Sequence, residues 1–251
     1  MAFYDLSKEE RVELVAQMTG QIEKDVTSGN LTGTLAYFSD EDTYIRKTAY
    51  LAVGRLYLLR PELQPAFLAL LRQFFKEPDF KVRQTVVNAA GEIGKKDFEI
   101  VRKFFDEGLF DEHHSVRNAV IGSMKKMGEV NPEPLLSWAR LYLHHQDKEI
   151  RREICHGIEL RGRTHPQDIL PLLKELQWDK PARVYKTLVH VIGQIAYKKG
   201  CLETVVADLK NWENQKLATE ALEEIIDVHH RYRNFSFYTQ EEARAYIAEH
   251  F

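Results

Sequence analysis

Residues 79–94 read DFKVRQTVVNAAGEIG, and residues 147–162 read DKEIRREICHGIELRG. In both, an aspartate stands three places before a β-branched residue, an arginine follows that residue, and apolar side chains return at four and eight places further on. That return paints one stripe along an α-helix. The aspartate is a helix N-cap residue by type and position.

The same pattern recurs along the chain. Lined up on the β-branched residue, it gives DTYIRKTAYLAVG, DFKVRQTVVNAAG, HHSVRNAVIGSMK, DKEIRREICHGIE and PARVYKTLVHVIG. The anchors Ile45, Val82, Val116, Ile150 and Val184 are separated by 37, 34, 34 and 34 residues, so equivalent buried positions are expected for all five. Ahead of each such helix a second stripe occurs, as in Phe67, Leu70, Leu71, Phe74; Ile100, Val101, Phe104, Phe105; and Ile169, Leu172, Leu173, Leu176. Two amphipathic helices per period cannot bury both stripes alone, whereas stacked neighbours can. Prolines 61, 78, 132, 134, 166 and 181 fall between the expected helices or in their first turns, and none is expected to interrupt a stripe. No period-two alternation or Asn-Gly turn suggests a strand.

The period, the paired helices and the Asp-x-x-[Ile/Val]-Arg signature resemble HEAT repeats. The resemblance implies an all-α fold, an α-solenoid of five to six helical hairpins. One domain is expected over 1–251, with a capping helix in 1–29, repeats in 30–228 and a C-terminal cap in 229–251. Ser7 to Glu10 and Thr239 to Glu242 match the capping-box pattern. They open an expected first helix through Leu14, Met18 and Ile22 and a last one through Tyr246 and Phe251.

The 251 residues carry a formal charge of −3, which argues against a strongly basic nucleic-acid binder. Cys155 and Cys201 form no CxxC pair, so a reducing, cytoplasmic setting is expected. No signal peptide or apolar membrane span is legible. The balance conceals a pattern. The second helices of the five pairs together carry +15, while residues 1–45 carry −6 and residues 201–251 carry −5. In HEAT repeats the second helices line the concave side, so the resemblance implies a basic inner face. Two rows project from it: Lys47, Gln84, Asn118, Arg152, Lys186, and a second containing Asn88, His156 and His190. Cations and amides in rows suit an anionic partner, whether an acidic protein segment or nucleic acid. Asp42 with Arg46, Asp79 with Arg83, and Asp147 with Arg151, together with Arg117 facing His113, are expected to form a structural ladder of helix caps and inter-repeat bridges. Trp138, Trp178 and Trp212 are expected to pack in the core.

Chemistry is not expected. The adjacent histidine pairs 113/114, 144/145 and 229/230 point about 100° apart on a helix and suit no shared metal. No Gly-rich phosphate loop, nucleophile elbow or Cys-His-Asn spacing occurs. IRREICHGIELRGRTHP at 150–166 resembles a segment of the HEAT-like alkylpurine DNA glycosylases at Ile150, Arg151, Arg152, Arg163, Thr164 and Pro166. His156 stands where that family carries a tryptophan, and no Trp-x-x-x-Asp element is present. The resemblance therefore implies, at most, DNA binding without catalysis. The reading is a non-catalytic scaffold with no cofactor and no metal, its partner a protein or acidic peptide, with DNA as the alternative.

Overall fold

The computed structural model describes residues 3–251. Apart from two 3-10 turns, its regular elements are the α-helices α1 (Lys8–Ser28), α2 (Thr32–Ser39), α3 (Thr43–Leu59), α4 (Gln64–Phe74), α5 (Phe80–Gly94), α6 (Arg102–Gly108), α7 (His114–Val130), α8 (Pro132–Arg140), α9 (Lys148–Gly157), α10 (Glu159–Gly162), α11 (Pro166–Lys174), α12 (Ala182–Gln194), α13 (Cys201–Leu209), α14 (Gln215–Arg231) and α15 (Gln240–His250). No strand occurs among the described residues. The fold class is all-α, an α-solenoid of repeated helix pairs. Compact packing divides the chain inside α7 into one unit through Ser123 and another from Met124 to Phe251.

In the first unit α1 packs on α2, α3 on α5, and α4 and α6 on α5. Its core contains Met18, Ile22, Phe38, Phe67, Phe74, Val86, Phe105 and Val120. In the second unit α12 lies between α9 and α14, α11 packs on α13, and α15 closes against α13 and α14. Its core contains Trp138, Ile154, Ile169, Leu188, Val205, Trp212 and Ile225. Both capping boxes form: Ser7 and Thr239 accept from the backbone of Glu10 and Glu242, whose side chains reach back to the cap residues. Gly29 ends α1 in the left-handed region at φ 79, which an L side chain adopts only at a cost.

The aspartate of the repeat signature caps its helix in each case. Asp42, Asp79 and Asp147 accept from the backbone N–H two residues on, at 2.8, 2.8 and 2.9 Å. In the third repeat His113 does the same work, its Nδ1 accepting from Ser115 N–H at 3.2 Å. The arginine after the anchor closes the other side of the turn by donating to the last carbonyls of the preceding helix region: Arg46 to Asp40 and Glu41, Arg83 to Glu77 and Pro78, Arg117 to Asp111 and Glu112, Arg151 to His145 and Gln146. Arg83 and Arg151 also reach forward by one repeat. Arg83 forks onto Asp111 at 2.7 and 3.0 Å, and Arg151 onto Asp179 at 2.5 and 3.0 Å. Both aspartates stand 28 residues beyond their arginines.

Four expectations need correction. Val82, Val116, Ile150 and Val184 are buried, but Ile45 is only half-buried; it lies in the first hairpin, next in sequence to the exposed Tyr44, whose ring meets that of Tyr4. Ile100 is 43% exposed, because the helix carrying its stripe begins only at Arg102. Pro171, inside α11, stands on its solvent side and does not interrupt the stripe from Ile169 to Leu176, so the expectation for the prolines needs no change. Trp138 and Trp212 are buried, whereas Trp178 follows α11 with 64% of its surface exposed. At the C-terminus Ala243 and Ile247 carry the buried face of α15, and Phe251 is exposed.

Candidate binding face on the second helices

Second helices pack closely where the residue nine places after the anchor is glycine. A Cβ on Gly54 would lie 2.5 Å from Glu92 Cβ, one on Gly91 2.5 Å from Ser123 Oγ, and one on Gly193 2.5 Å from Glu224 Cγ. Real Cβ atoms do not tolerate such separations, so these crossings require glycine. In the two central repeats the same column holds Lys125 and Glu159.

Glu159 is 1% exposed and opens α10, just after the break that separates α10 from α9 at Ile158. Its two oxygens divide between two sides. Oε1 accepts from Arg163 at 3.0 and 2.5 Å, and Arg163 also donates to Gln194 Oε1 at 3.0 Å. Oε2 lies 3.2 Å from Lys125 Nζ and 3.1 Å from His156 Nε2, and Lys125 Nζ is 2.9 Å from the same imidazole nitrogen. Burial alone would raise this carboxyl; His156, Lys125 and Arg163 outweigh it and bring its pKa to about 2. One buried anion thus holds two permanent cations and an imidazole, leaving surplus positive charge around it. Cys155 beside it is fully buried, and that burial together with Glu159 pushes its thiol up, away from thiolate reactivity.

From this cluster the polar side chains continue onto the surface of the Met124–Phe251 unit. The rings of His156 and His190 meet edge to face with centroids 6.5 Å apart. His190 Nδ1 lies 3.4 Å from Glu224 Oε1, which Arg231 also engages at 2.5 Å. Lys186 and His190 line a recess of 320 Å³ with Tyr185, Val189, Glu220 and Glu224. The Tyr185 phenol is pushed up to about 12 by burial and by Glu220. Arg152 is committed to Glu149 at 2.9 Å and Glu153 at 3.4 Å.

The row in the first unit differs. Lys47 and Asn118 are exposed, Gln84 and Asn88 are half-buried, and the Asn88 amide donates to Gln84 O at 3.0 Å along its own helix. These four residues form no cationic cluster. The surplus of +15 is also spent locally, since Lys81 meets Glu41, Lys95 meets Glu92, Arg60 meets Glu23, and Arg161 meets Asp168. Of the eight residues expected to bind, His156 and His190 are brought together, and Lys186 joins His190 at one recess. Sequence reasoning missed Lys125, Glu159 and Glu224. The departure from glycine in the nine-after-anchor column is the signal that could have found the first two.

No family model and no curated protein matches the chain. Among solved structures it is similar to one described as Kap95p binding inducing the switch loops of RanGDP to adopt the GTP-bound conformation, at 16% identity and TM-score 0.47, over 89% of this chain and 34% of that one. It is also similar to an engineered protein, at 14% identity and TM-score 0.38, over 78% of this chain and 96% of that one. The chain spans about a third of the first of these. Among the described residues, no group of three or more His, Cys, Asp or Glu could hold a metal ion, and no helix is long and apolar enough to cross a membrane.

Proposed function

We propose that the protein is a non-enzymatic helical-repeat scaffold that holds an acidic protein segment on the second-helix face of its Met124–Phe251 unit. The observation that carries this is the buried Glu159 cluster. Glycine suffices at the equivalent crossings, and burying a carboxylate costs several kcal/mol before its partners offset it, so the packing alone gives no reason for the charge. What the cluster does supply is a fixed, cation-rich patch with His156 at its edge, followed by His190 and Lys186. A carboxylate arriving there meets pre-positioned donors in a partly desolvated setting, where charge-assisted hydrogen bonds are strongest.

Two features favour a short acidic segment over a nucleic-acid strand. Glu220 and Glu224 line the same recess as Lys186 and His190, so the unbroken charge of a phosphate backbone would run into like charge there, whereas a peptide can confine its carboxylates to the Glu159 end and place neutral residues over the two glutamates. Arg163, in the segment that resembles the DNA glycosylases, is turned inward onto Glu159 and Gln194. Both cysteines are free and buried, which supports a reducing, cytoplasmic setting. The inert Cys155 supports a role without covalent chemistry, and release of alkylated bases from DNA is expected at the buffer rate.

The test is a fluorescence-anisotropy titration of the full chain with a labelled peptide carrying two adjacent glutamates between neutral residues, and with duplex DNA, at about 50 mM salt. The peptide is expected to bind more tightly than the DNA, and to weaken as salt rises. Joint Arg152→Glu and Lys186→Glu replacement should weaken peptide binding at least about tenfold, a loss of about 1.4 kcal/mol. Lys47→Glu and Arg117→Ala should leave it unchanged. Equal peptide binding by the double reversal and by the native chain would end this reading, and tighter binding of DNA would replace the partner.

A further inference from the structure

A second recess, of 450 Å³, lies in the same unit and shares no residue with the recess of Lys186 and His190; its Lys198 and Lys199, counted in sequence with the fifth second helix, lie beyond the end of α12 at Gln194. It is lined by Thr164 in the turn before α11, Lys198 and Lys199 between α12 and α13, and Phe235, Ser236 and Phe237 after α14. Its volume falls in the range of small-molecule sites, about 300–1,000 Å³.

The two phenyl rings are held outward by an ordered segment. Phe235 and Ser236 donate their backbone N–H groups to Tyr232 O at 2.7 and 2.9 Å, and Phe237 N–H donates across to Tyr197 O at 2.9 Å. The rings of Tyr197 and Tyr232 stack beneath at 5.2 Å, and Tyr238 OH donates to Glu203 at 2.6 Å. On this pinned segment Phe235 remains 76% and Phe237 51% exposed. Single exposed hydrophobes are ordinary; two on one hydrogen-bonded loop, lining the same recess as two lysines, offer ring surface to a ligand.

The lysines define the other half. Lys198 and Lys199 are exposed, and neither has a carboxylate partner among the described residues. Lys199 Nζ stands 5.6 Å from the Phe237 ring centroid, a cation–π separation that keeps the ammonium beside that ring. Ser236 Oγ lies 3.1 and 3.4 Å from the carbonyls of Tyr232 and His229 and gives its one hydrogen to either, so its lone pairs stay available to accept from a ligand hydroxyl. Two ammonium groups at one recess suit a compact dianion, exposed phenyl rings suit a flat ring, and the hydroxyl oxygen suits a sugar.

We propose that this recess binds a nucleoside monophosphate, with the phosphate on Lys198 and Lys199, the base against Phe235 and Phe237, and the sugar near Ser236. The same chemistry is offered by a free nucleotide and by the 5′-phosphorylated end of a single strand. The experiment is calorimetric titration of the full chain with adenosine 5′-monophosphate, adenosine, inorganic phosphate and a 5′-phosphorylated oligoadenylate. The monophosphate is expected to bind at least tenfold more tightly than adenosine or phosphate. Joint Lys198→Ser and Lys199→Ser replacement should reduce it to the adenosine level, and joint Phe235→Ser and Phe237→Ser replacement to the phosphate level. Circular dichroism checks that the fold is kept; if the double phenylalanine variant loses helicity, Phe235→Ser alone tests the ring contribution. Tighter binding of the oligonucleotide assigns the ligand to a strand end, and equal or weaker binding assigns it to the free nucleotide. A monophosphate that binds no better than phosphate, or that binds both double variants as it binds the native chain, overturns the proposal.

Discussion

The crossing of α3 on α5 and the crossing around Glu159 answer one packing problem in two ways. In the first, Gly54 lets the Glu92 side chain lie against the helix backbone. In the second, a carboxylate fills the position and is neutralised by Lys125, His156 and Arg163. The glycine solution loses only side-chain contacts. The charged solution stores a large dependence on each partner, because removing one leaves the others buried without compensation. The difference separates a crossing that serves the stack from one that also builds a charged patch at the surface.

The largest expected effect breaks the charged crossing. Glu159→Ala should cost about 3–5 kcal/mol by leaving the half-buried Lys125, His156 and Arg163 without their anion, a fall in melting temperature of roughly 10 °C for a chain of this size. Gly54→Ala should cost about 1–3 kcal/mol through overpacking alone, and calorimetry compares the two directly. Acid sharpens the contrast. Because the folded carboxyl lies near 2 and the ordinary value is 4.5, its contribution is fully present above about pH 4.5. It is lost as pH falls toward 2, by about 3 kcal/mol at 1.36 kcal/mol per pKa unit. Glu159→Gln should flatten that part of the stability curve, and a curve as steep as the native one would show that the depression is not there.

The next effect is in the arginine column. Arg83→Ala and Arg151→Ala each remove a buried fork onto an aspartate of the following repeat as well as two carbonyl contacts, and about 2–4 kcal/mol is expected for each. Among the described residues Arg46 makes side-chain hydrogen bonds only within its own hairpin, so Arg46→Ala should cost about 1 kcal/mol. Urea unfolding of the three variants orders them, and an Arg46 variant as damaged as the other two would remove the distinction. A smaller loss, about 1 kcal/mol, is expected for Asp79→Ala, where a helix cap disappears.

How much of this was legible in sequence follows from what repeats. The anchors, the capping aspartates and the arginines recur at one spacing, so the helix pairs and the near ends of the ladder could be read directly. The far ends could not: Asp111 and Asp179 belong to the following repeat, and pairing them with Arg83 and Arg151 requires knowing that stacked repeats place residues 28 apart side by side. Counting charge per helix also misled. It took Glu159 as one anion subtracted from a basic face, when its burial makes it the centre of the cluster, and it placed Glu220 and Glu224 in an acidic flank when they line the recess of Lys186 and His190. Trp178 escaped because a large aromatic just after a first helix packs inward at Trp212 and outward here, and only the course of the turn decides which.

The smallest effect compares the two rows directly. Lys47 is exposed in the first unit with no carboxylate partner among the described residues, whereas Lys186 shares its recess with Glu220 and Glu224. Reversing Lys47 exchanges one solvated charge for another, and stability should move by less than about 0.5 kcal/mol. Reversing Lys186 places a third carboxylate beside two, and the repulsion between partly exposed like charges should cost a few tenths of a kcal/mol more, fading as salt is raised. The measurement is the difference between Lys47→Glu and Lys186→Glu in denaturant midpoint at low and at high salt. A gap present at low salt and closed at high salt marks the mixed charge of the second unit's recess. Equal midpoints at low salt would mean that Glu220 and Glu224 are screened from Lys186, and the first reason for preferring a short acidic segment over a phosphate track would fall with them.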